Sequence, residues 1–476
     1  MKFIKKNIYY ILGILTVLFF LFGQGVMWYA IGGDSEAYYI HFRHRLEVAP
    51  LYPLFLHIMD LIFGSELYLY AASVVQLIVT VICLMVFIRF IGKRLELDVF
   101  SIVVVWIGAL IPFYLLLPED PIPHVMLTES FTYPFMYVYM VLVLKAIFDN
   151  DEKYFFISAL FVQVMAMIRG QMMFLFVVSI VMYFAWCVKK QFLEKESKSV
   201  WFKKVLVRMV SFMASVLVCM MVGRGLKIAY ERIFFNAPSQ SFAEHLSVQK
   251  ALYCSDEEDA ALFKDEVERE IFEKTYAEMK LVETTYQYAD RGLYNWKHAI
   301  EGFGANSWIV GDVIEEVLTE HGLWSENEYE QEDLKLQYSG RLSRTLMKDN
   351  WKQYVHLFFV CLPSGFLSTV LFDKERIYLL LHIATAILYL LAITVSIFIS
   401  LVKKRVLHET EYMWLILATS IINVVASNAV HMGIQRYLAY TVGMFYVGAY
   451  LLVRRCFLMW KGSSEMREFP FRTGKN

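Results

Sequence analysis

The sequence predicts an all-α polytopic membrane protein, a bundle of about ten transmembrane helices with amphipathic helices on its outer face. Three observations predict it. Of 476 residues, 58% are hydrophobic and 16% aromatic, while only 19% are charged, against roughly 25% in a soluble protein. Apolar stretches close to the ~20 residues that cross a bilayer recur along the chain. Lysine and arginine collect in alternate connections between those stretches.

The stretches fall at 8–31, 67–92, 100–117, 129–148, 154–168, 171–188, 205–223, 377–402, 411–430 and 437–457. The first follows Lys2, Lys5 and Lys6, exceeds the apolar core of a secretory signal and has no small-residue cleavage motif, so it reads as a retained span. The fifth and sixth are short, which places the turn carrying Arg169 below the lipid headgroups. One topology gathers the N-terminal lysines, Lys93, Arg94, Lys153, the run from Lys189 to Lys204, Lys403, Lys404, Arg405, Arg454 and Arg455 on one side. It is a multi-pass plasma-membrane topology with both termini cytoplasmic, because short loops rich in these residues stay inside. The opposite, extracytoplasmic side receives 32–66, 118–128 and 224–376. The chain therefore divides into an N-terminal transmembrane module over 1–223, a long outer and mainly helical segment over 224–376, and C-terminal transmembrane helices with a cytoplasmic tail over 377–476.

From Asp256 to Asp333 acidic residues outnumber basic ones by roughly three or four to one, which marks a solvated helical surface. Phe263-Lys264-Asp265-Glu266-Val267-Glu268-Arg269-Glu270-Ile271-Phe272 has helical spacing and few strand signals, so short amphipathic helices are expected there. Trp351 to Phe372 is apolar but broken by Pro363 and Gly365. That pattern predicts a re-entrant or surface-lying helix pair, since an eleventh span would carry the C-terminus to the wrong side.

Composition also excludes functions. Lys+Arg 45 against Asp+Glu 46 leaves a net charge of -1, so there is no basic field to hold nucleic acid. Cys83, Cys187, Cys219, Cys254, Cys361 and Cys456 are scattered, without a Cys-x-x-Cys pair, which excludes a disulfide scaffold and a zinc ribbon. No internal repeat supports a transporter built from inverted halves.

The richest stretch lies where the first span leaves the membrane: Gly32-Gly33-Asp34-Ser35-Glu36, then His41-Phe42-Arg43-His44-Arg45. Two readings of Asp34 stand open. At the membrane boundary, partial desolvation would raise its pKa toward that of a general base; equally, an Asp before Ser-x-Ala-Tyr caps a helix. Glu129 abuts an apolar helix, where a carboxylate is costly unless it works or is paired. Glu119 and Asp120, in Pro118-Glu119-Asp120-Pro121-Ile122-Pro123, read as a stiff outer turn or as further acids. Arg169 and Arg436 are cations between apolar segments on the outer side, and a guanidinium fork suits phosphate; the alternative is snorkelling to headgroups. Arg43 and Arg45 are weaker phosphate ligands of the same kind. His41 and His44 stand i, i+3 with Glu36 near, but the flanking arginines oppose a metal. Aromatic pairs such as Tyr133 with Tyr137 read as helix packing.

The order of these pieces carries a resemblance. Gly-Asp-Ser at the end of the first span is followed by Ala49-Pro50-Leu51-Tyr52-Pro53-Leu54-Phe55-Leu56 and Leu61-Ile62-Phe63-Gly64. Then come His124-Val125-Met126-Leu127-Thr128-Glu129-Ser130-Phe131, Ala166-Met167-Ile168-Arg169, the stretch from Arg341 to Tyr354, and Gln435-Arg436-Tyr437. This series resembles the GT-C superfamily of membrane glycosyltransferases, of the protein-mannosyltransferase and lipid A aminoarabinose-transferase type. The chain departs from it where Arg169 is followed by Gly-Gln instead of proline, and where Asp34 is followed by Ser instead of a second carboxylate.

The resemblance implies a GT-C-like bundle and an inverting transfer of a sugar from a polyprenyl-phosphate-linked donor, on the outer membrane face. The acceptor would be a glycan, a lipid or a protein. Asp34 would be the catalytic base and Glu129 a second catalytic carboxylate, with Glu36, Glu119 and Asp120 as second-acid or acceptor-orienting candidates. Arg169, Arg436, Tyr437, Arg43 and Arg45 would bind the donor phosphate. The cofactor stays unknown, with a divalent cation (Mg or Mn) left open. The rival expectations are a transporter or flippase, which requires charges deep in several helices where only Lys145 and Arg208 stand near inner ends, and a polymerase of lipid-linked saccharides.

Overall fold

The computed structural model describes residues 2–22, 29–31, 35, 48–115, 122–194, 198–235, 242–289, 295–371, 379–430 and 435–461. These residues are nearly all helical, and the isolated parallel bridge of Ala30 with Val125 is their β pairing. Seven helices are long and apolar enough to cross a membrane, and four shorter apolar helices accompany them.

The first helix, α1 (Lys2–Phe22), packs on α3 (Tyr68–Arg94). It does not continue to Ile31 as expected, because Ala30 is already extended, donating to the His124 carbonyl at 2.8 Å and accepting from Met126 at 3.0 Å. The segment 32–66, expected as a polar loop, contains the apolar helix α2 (Leu51–Phe63). Gly64, at φ +76, ends it in a backbone region that L side chains avoid. Tyr52 holds α2 to α3 through a 2.9 Å hydrogen bond to Gln76.

Next come α4 (Val99–Leu115), α5 (Glu129–Asp149) and α6 (Lys153–Ile168). The last two form an antiparallel hairpin. Asn150, in the left-handed region with φ 52 and ψ 39, turns the chain between them. Glu129 at the start of α5 and Arg169 just past α6 therefore lie at the same end of the bundle. Asp149 pairs with Arg94 at the other end. A 3₁₀ turn (Gly170–Met173) leads into α7 (Phe174–Glu194). The 38-residue α8 (Lys198–Phe235) follows, running beyond the expected boundary at residue 223.

The segment expected to be outer is a helical bundle: α9 (Phe242–Tyr253), α10 (Glu266–Leu281), α11 (Asn295–Glu320) and α12 (Glu328–Asp349). Its own core buries Val248, Leu252, Phe272, Ile314, Val317 and Leu342, an amphipathic packing that leaves most carboxylates outside, apart from the buried Asp259 that accepts from Asn350. Asp256, Asp265 and Asn327 accept backbone N–H groups at helix starts.

The stretch after it is one helix, α13 (Trp351–Ser368), not the pair expected from Pro363 and Gly365. Gly365 serves packing: a Cβ there would stand 2.7 Å from the Asn428 side-chain nitrogen. The chain closes with α14 (Leu379–Lys403), α15 (His408–Val430), the short α16 (Gln435–Leu438), a 3₁₀ turn (Ala439–Thr441) and α17 (Val442–Trp460). α15 runs from an end where Glu411 pairs with Lys189 to the end that holds Glu129.

Candidate functional site

Glu129 opens α5 almost fully buried, at 1% exposure. Its carboxylate is met by Arg169, whose Nη1 lies 2.5 Å from Oε2. Thr128 bridges the pair, donating to Glu129 Oε2 at 3.0 Å and accepting from Arg169 Nη1 at 2.7 Å. The other carboxylate oxygen, Oε1, makes no hydrogen bond and faces Arg436 Nε at 3.5 Å. One carboxylate thus stands between two guanidinium groups, brought from the end of α6 and from α16.

Tyr437 serves both cations. Its ring centroid lies 4.6 Å from the Arg169 guanidinium carbon and 5.2 Å from that of Arg436, within the range of cation–π attraction. The Tyr437 carbonyl accepts from Gln171 at 2.8 Å and from Asn423 at 3.0 Å. Gln171 in turn accepts from Arg169 Nε at 3.2 Å and donates to Ser427 at 3.2 Å. Gln171 is therefore part of the site, because glutamine can both accept from the guanidinium and donate to α15.

Tyr133, read from sequence as packing, does more. Its hydroxyl donates to the Arg436 carbonyl at 3.1 Å, and its ring stacks on Tyr440 at 4.3 Å. Thr132 and the Tyr440 hydroxyl meet at 3.3 Å. Arg436 is thus held along its backbone while its guanidinium faces the carboxylate.

The structure brings together Glu129, Arg169, Arg436 and Tyr437, four of the residues singled out from sequence. Asp34, Glu36, Arg43, Arg45, Glu119 and Asp120 lie outside the described residues, as do His41 and His44. Ala30 pairs with Val125, and Val125 stands four residues before Glu129. His124, directly before Val125, is fixed by Ser73 at 2.9 Å and by the Phe20 carbonyl at 3.1 Å. Thr128, Gln171, Asn423 and Ser427 were not found from sequence. The available signal was the i, i+4 pair Asn423 and Ser427 inside an apolar span, since polar groups at membrane depth must find partners.

Among the described residues no group of three His, Cys, Asp or Glu is placed to hold a metal ion. Glu129 is committed to Arg169, so its carboxylate is a poor cation ligand in this arrangement. Comparison with protein-family models, with curated proteins and with solved structures finds no match to this chain.

Proposed function

We propose that the protein is a membrane glycosyltransferase that moves a sugar from a polyprenyl-phosphate-linked donor to an acceptor on the extracytoplasmic face. The observation that carries the reading is the meeting of Arg169 and Arg436 around one buried carboxylate. Two guanidinium groups converge on one side of this buried carboxylate, and their planar forks suit the oxygens of a lipid phosphate.

The two arginines differ in role. Arg169, its side chain 12% exposed, is spent on Glu129, Thr128 and Gln171 and acts as the anchor. Arg436, at 22%, makes the longer contact to Glu129 and is the arm that meets phosphate. In the proposed reaction Asp34 takes the proton of the acceptor hydroxyl while its oxygen attacks the anomeric carbon. The bond from that carbon to the phosphate oxygen breaks on the opposite side, and the electron pair leaves with the lipid phosphate. Preorganised guanidinium groups stabilise the charge that develops there, an effect of several kcal/mol in a water-poor site. Glu129 keeps both arginines in place.

The test uses the purified full chain with polyprenyl phosphate in vesicles. Arg436→Ala is expected to weaken binding at least about tenfold, the range of a lost charge-assisted contact. Asp34→Asn is expected to bind normally and to abolish sugar transfer. Wild-type protein that binds no polyprenyl phosphate, or an Asp34→Asn variant that still turns over, removes the reading.

A further inference from the structure

Lys250, on α9 of the outer bundle, is completely buried. Lysine is almost never fully buried without a carboxylate, and what surrounds this one is Tyr354, Phe358, Cys254 and Cys361. Its ammonium donates to the Asn428 carbonyl at 2.7 Å and lies 4.2 Å from the Tyr354 ring centroid. The Tyr354 hydroxyl donates to the next carbonyl, Ala429, at 3.0 Å. Both acceptors belong to the last turn of α15, where carbonyls lack partners within the helix and the helix dipole is negative. The outer bundle and α13 together cap a membrane helix.

That helix end is tied to the candidate site. Asn423, about one turn before the cap, and Ser427, directly before it, hold the Tyr437 carbonyl and Gln171, and Gln171 holds Arg169. α16, with Arg436 and Tyr437, begins five residues after Val430. A shift of the α15 end therefore moves both guanidinium groups relative to Glu129.

We infer that Lys250 is a positioning residue, which fixes the outer helical bundle to the end of α15 and so sets where Arg436 and Tyr437 stand. Burial pushes its ammonium pKa down to about 8, the mark of a charge kept in place at a cost. The mechanical part stands by itself; its consequence for donor binding rests on the proposed function.

Hydrogen–deuterium exchange on the full chain in nanodiscs tests it. Lys250→Met removes the ammonium and keeps most of the stem; Tyr354→Phe removes only one hydroxyl. Amides of 435–441 are expected to exchange about tenfold faster in Lys250→Met, and to shift less but in the same direction in Tyr354→Phe, with 271–279 and 310–318 of the outer core unchanged. Exchange at 435–441 that stays at the wild-type rate in both variants, with any increase confined to 242–253 and 351–368, overturns the inference, because Lys250 then only seats its own helix. If Lys250→Met also loosens 310–318, Tyr354→Phe decides. Polyprenyl phosphate is then added: a roughly tenfold weaker affinity in Lys250→Met supports both readings. Lipid phosphate that binds neither protein, with the exchange effect intact, sinks the donor reading and leaves the positioning role standing.

Discussion

Glu129 and Lys274 each face more than one partner of opposite charge, in opposite surroundings. Glu129 sits between Arg169 and Arg436 with almost no access to water. Lys274, on the outer bundle and 34% exposed, reaches Glu270 at 3.3 Å, Glu316 at 3.0 Å and Glu320 at 2.6 Å, and so links α10 to α11. By distance the two clusters look alike. They differ in what happens when one member is lost: water solvates the survivors around Lys274, whereas the survivors around Glu129 remain buried with unbalanced charge. Among the described residues the bundle over 242–349 holds more ion pairs than the Glu129 site, but those at Glu129 are the buried ones.

The largest expected effect breaks the buried side of that comparison. Glu129→Ala removes the buried carboxylate that Arg169 and Arg436 share and is expected to destabilise the protein by about 3–5 kcal/mol, as for other broken buried pairs. Thermal unfolding in detergent reads it, and a loss below about 1 kcal/mol would put Glu129 in the class of the exposed pairs.

A second prediction concerns pH and the buried cation at the junction. Lys250 titrates near 8 in the folded protein, against 10.5 for the ordinary side chain, because burial disfavours its charged form. Between these values the unfolded chain binds a proton that the folded chain has shed, so stability rises with pH across that window. Below pH 8 the full penalty is present, on the order of 3 kcal/mol. Unfolding of wild type and Lys250→Met is to be compared between pH 7 and 10; a difference between the two that does not change with pH refutes the assignment.

The smallest effect is expected on the exposed side. Lys274→Ala should leave the melting temperature within experimental scatter, with salt abolishing whatever remains. A clear loss of stability would show that this surface network acts as a unit, and would erase the contrast with Glu129.

The sequence supported the helical class, because runs of apolar residues have only helices available for crossing lipid. Seven of the ten expected spans are helices long and apolar enough to cross a membrane. The described apolar helix Val99–Leu115 is shorter and carries Pro112, and Lys153–Ile168 is short as its apolar run predicted, ending at Arg169 in an extended conformation. Hydropathy averages over such features. It also passed over Leu51–Phe63, whose apolar run is too short to cross a bilayer.

The sequence by itself determined that this chain belongs in a membrane, that its segment from Asp256 to Asp333 is an acidic helical surface, and that Glu129, Arg169 and Arg436 are charges in apolar company. Composition and period are local properties, so the residues carry them wherever the chain goes. Only the tertiary structure decided which charges meet. The pairing of Glu129 with Arg169 depends on an antiparallel hairpin returning to the same end, and that of Glu129 with Arg436 on a contact 307 positions away along the chain, as the numbering shows. The cap that Lys250 places on Asn428 spans 178 positions. Such contacts are fixed by the packing of whole helices against one another, which no stretch of sequence encodes alone.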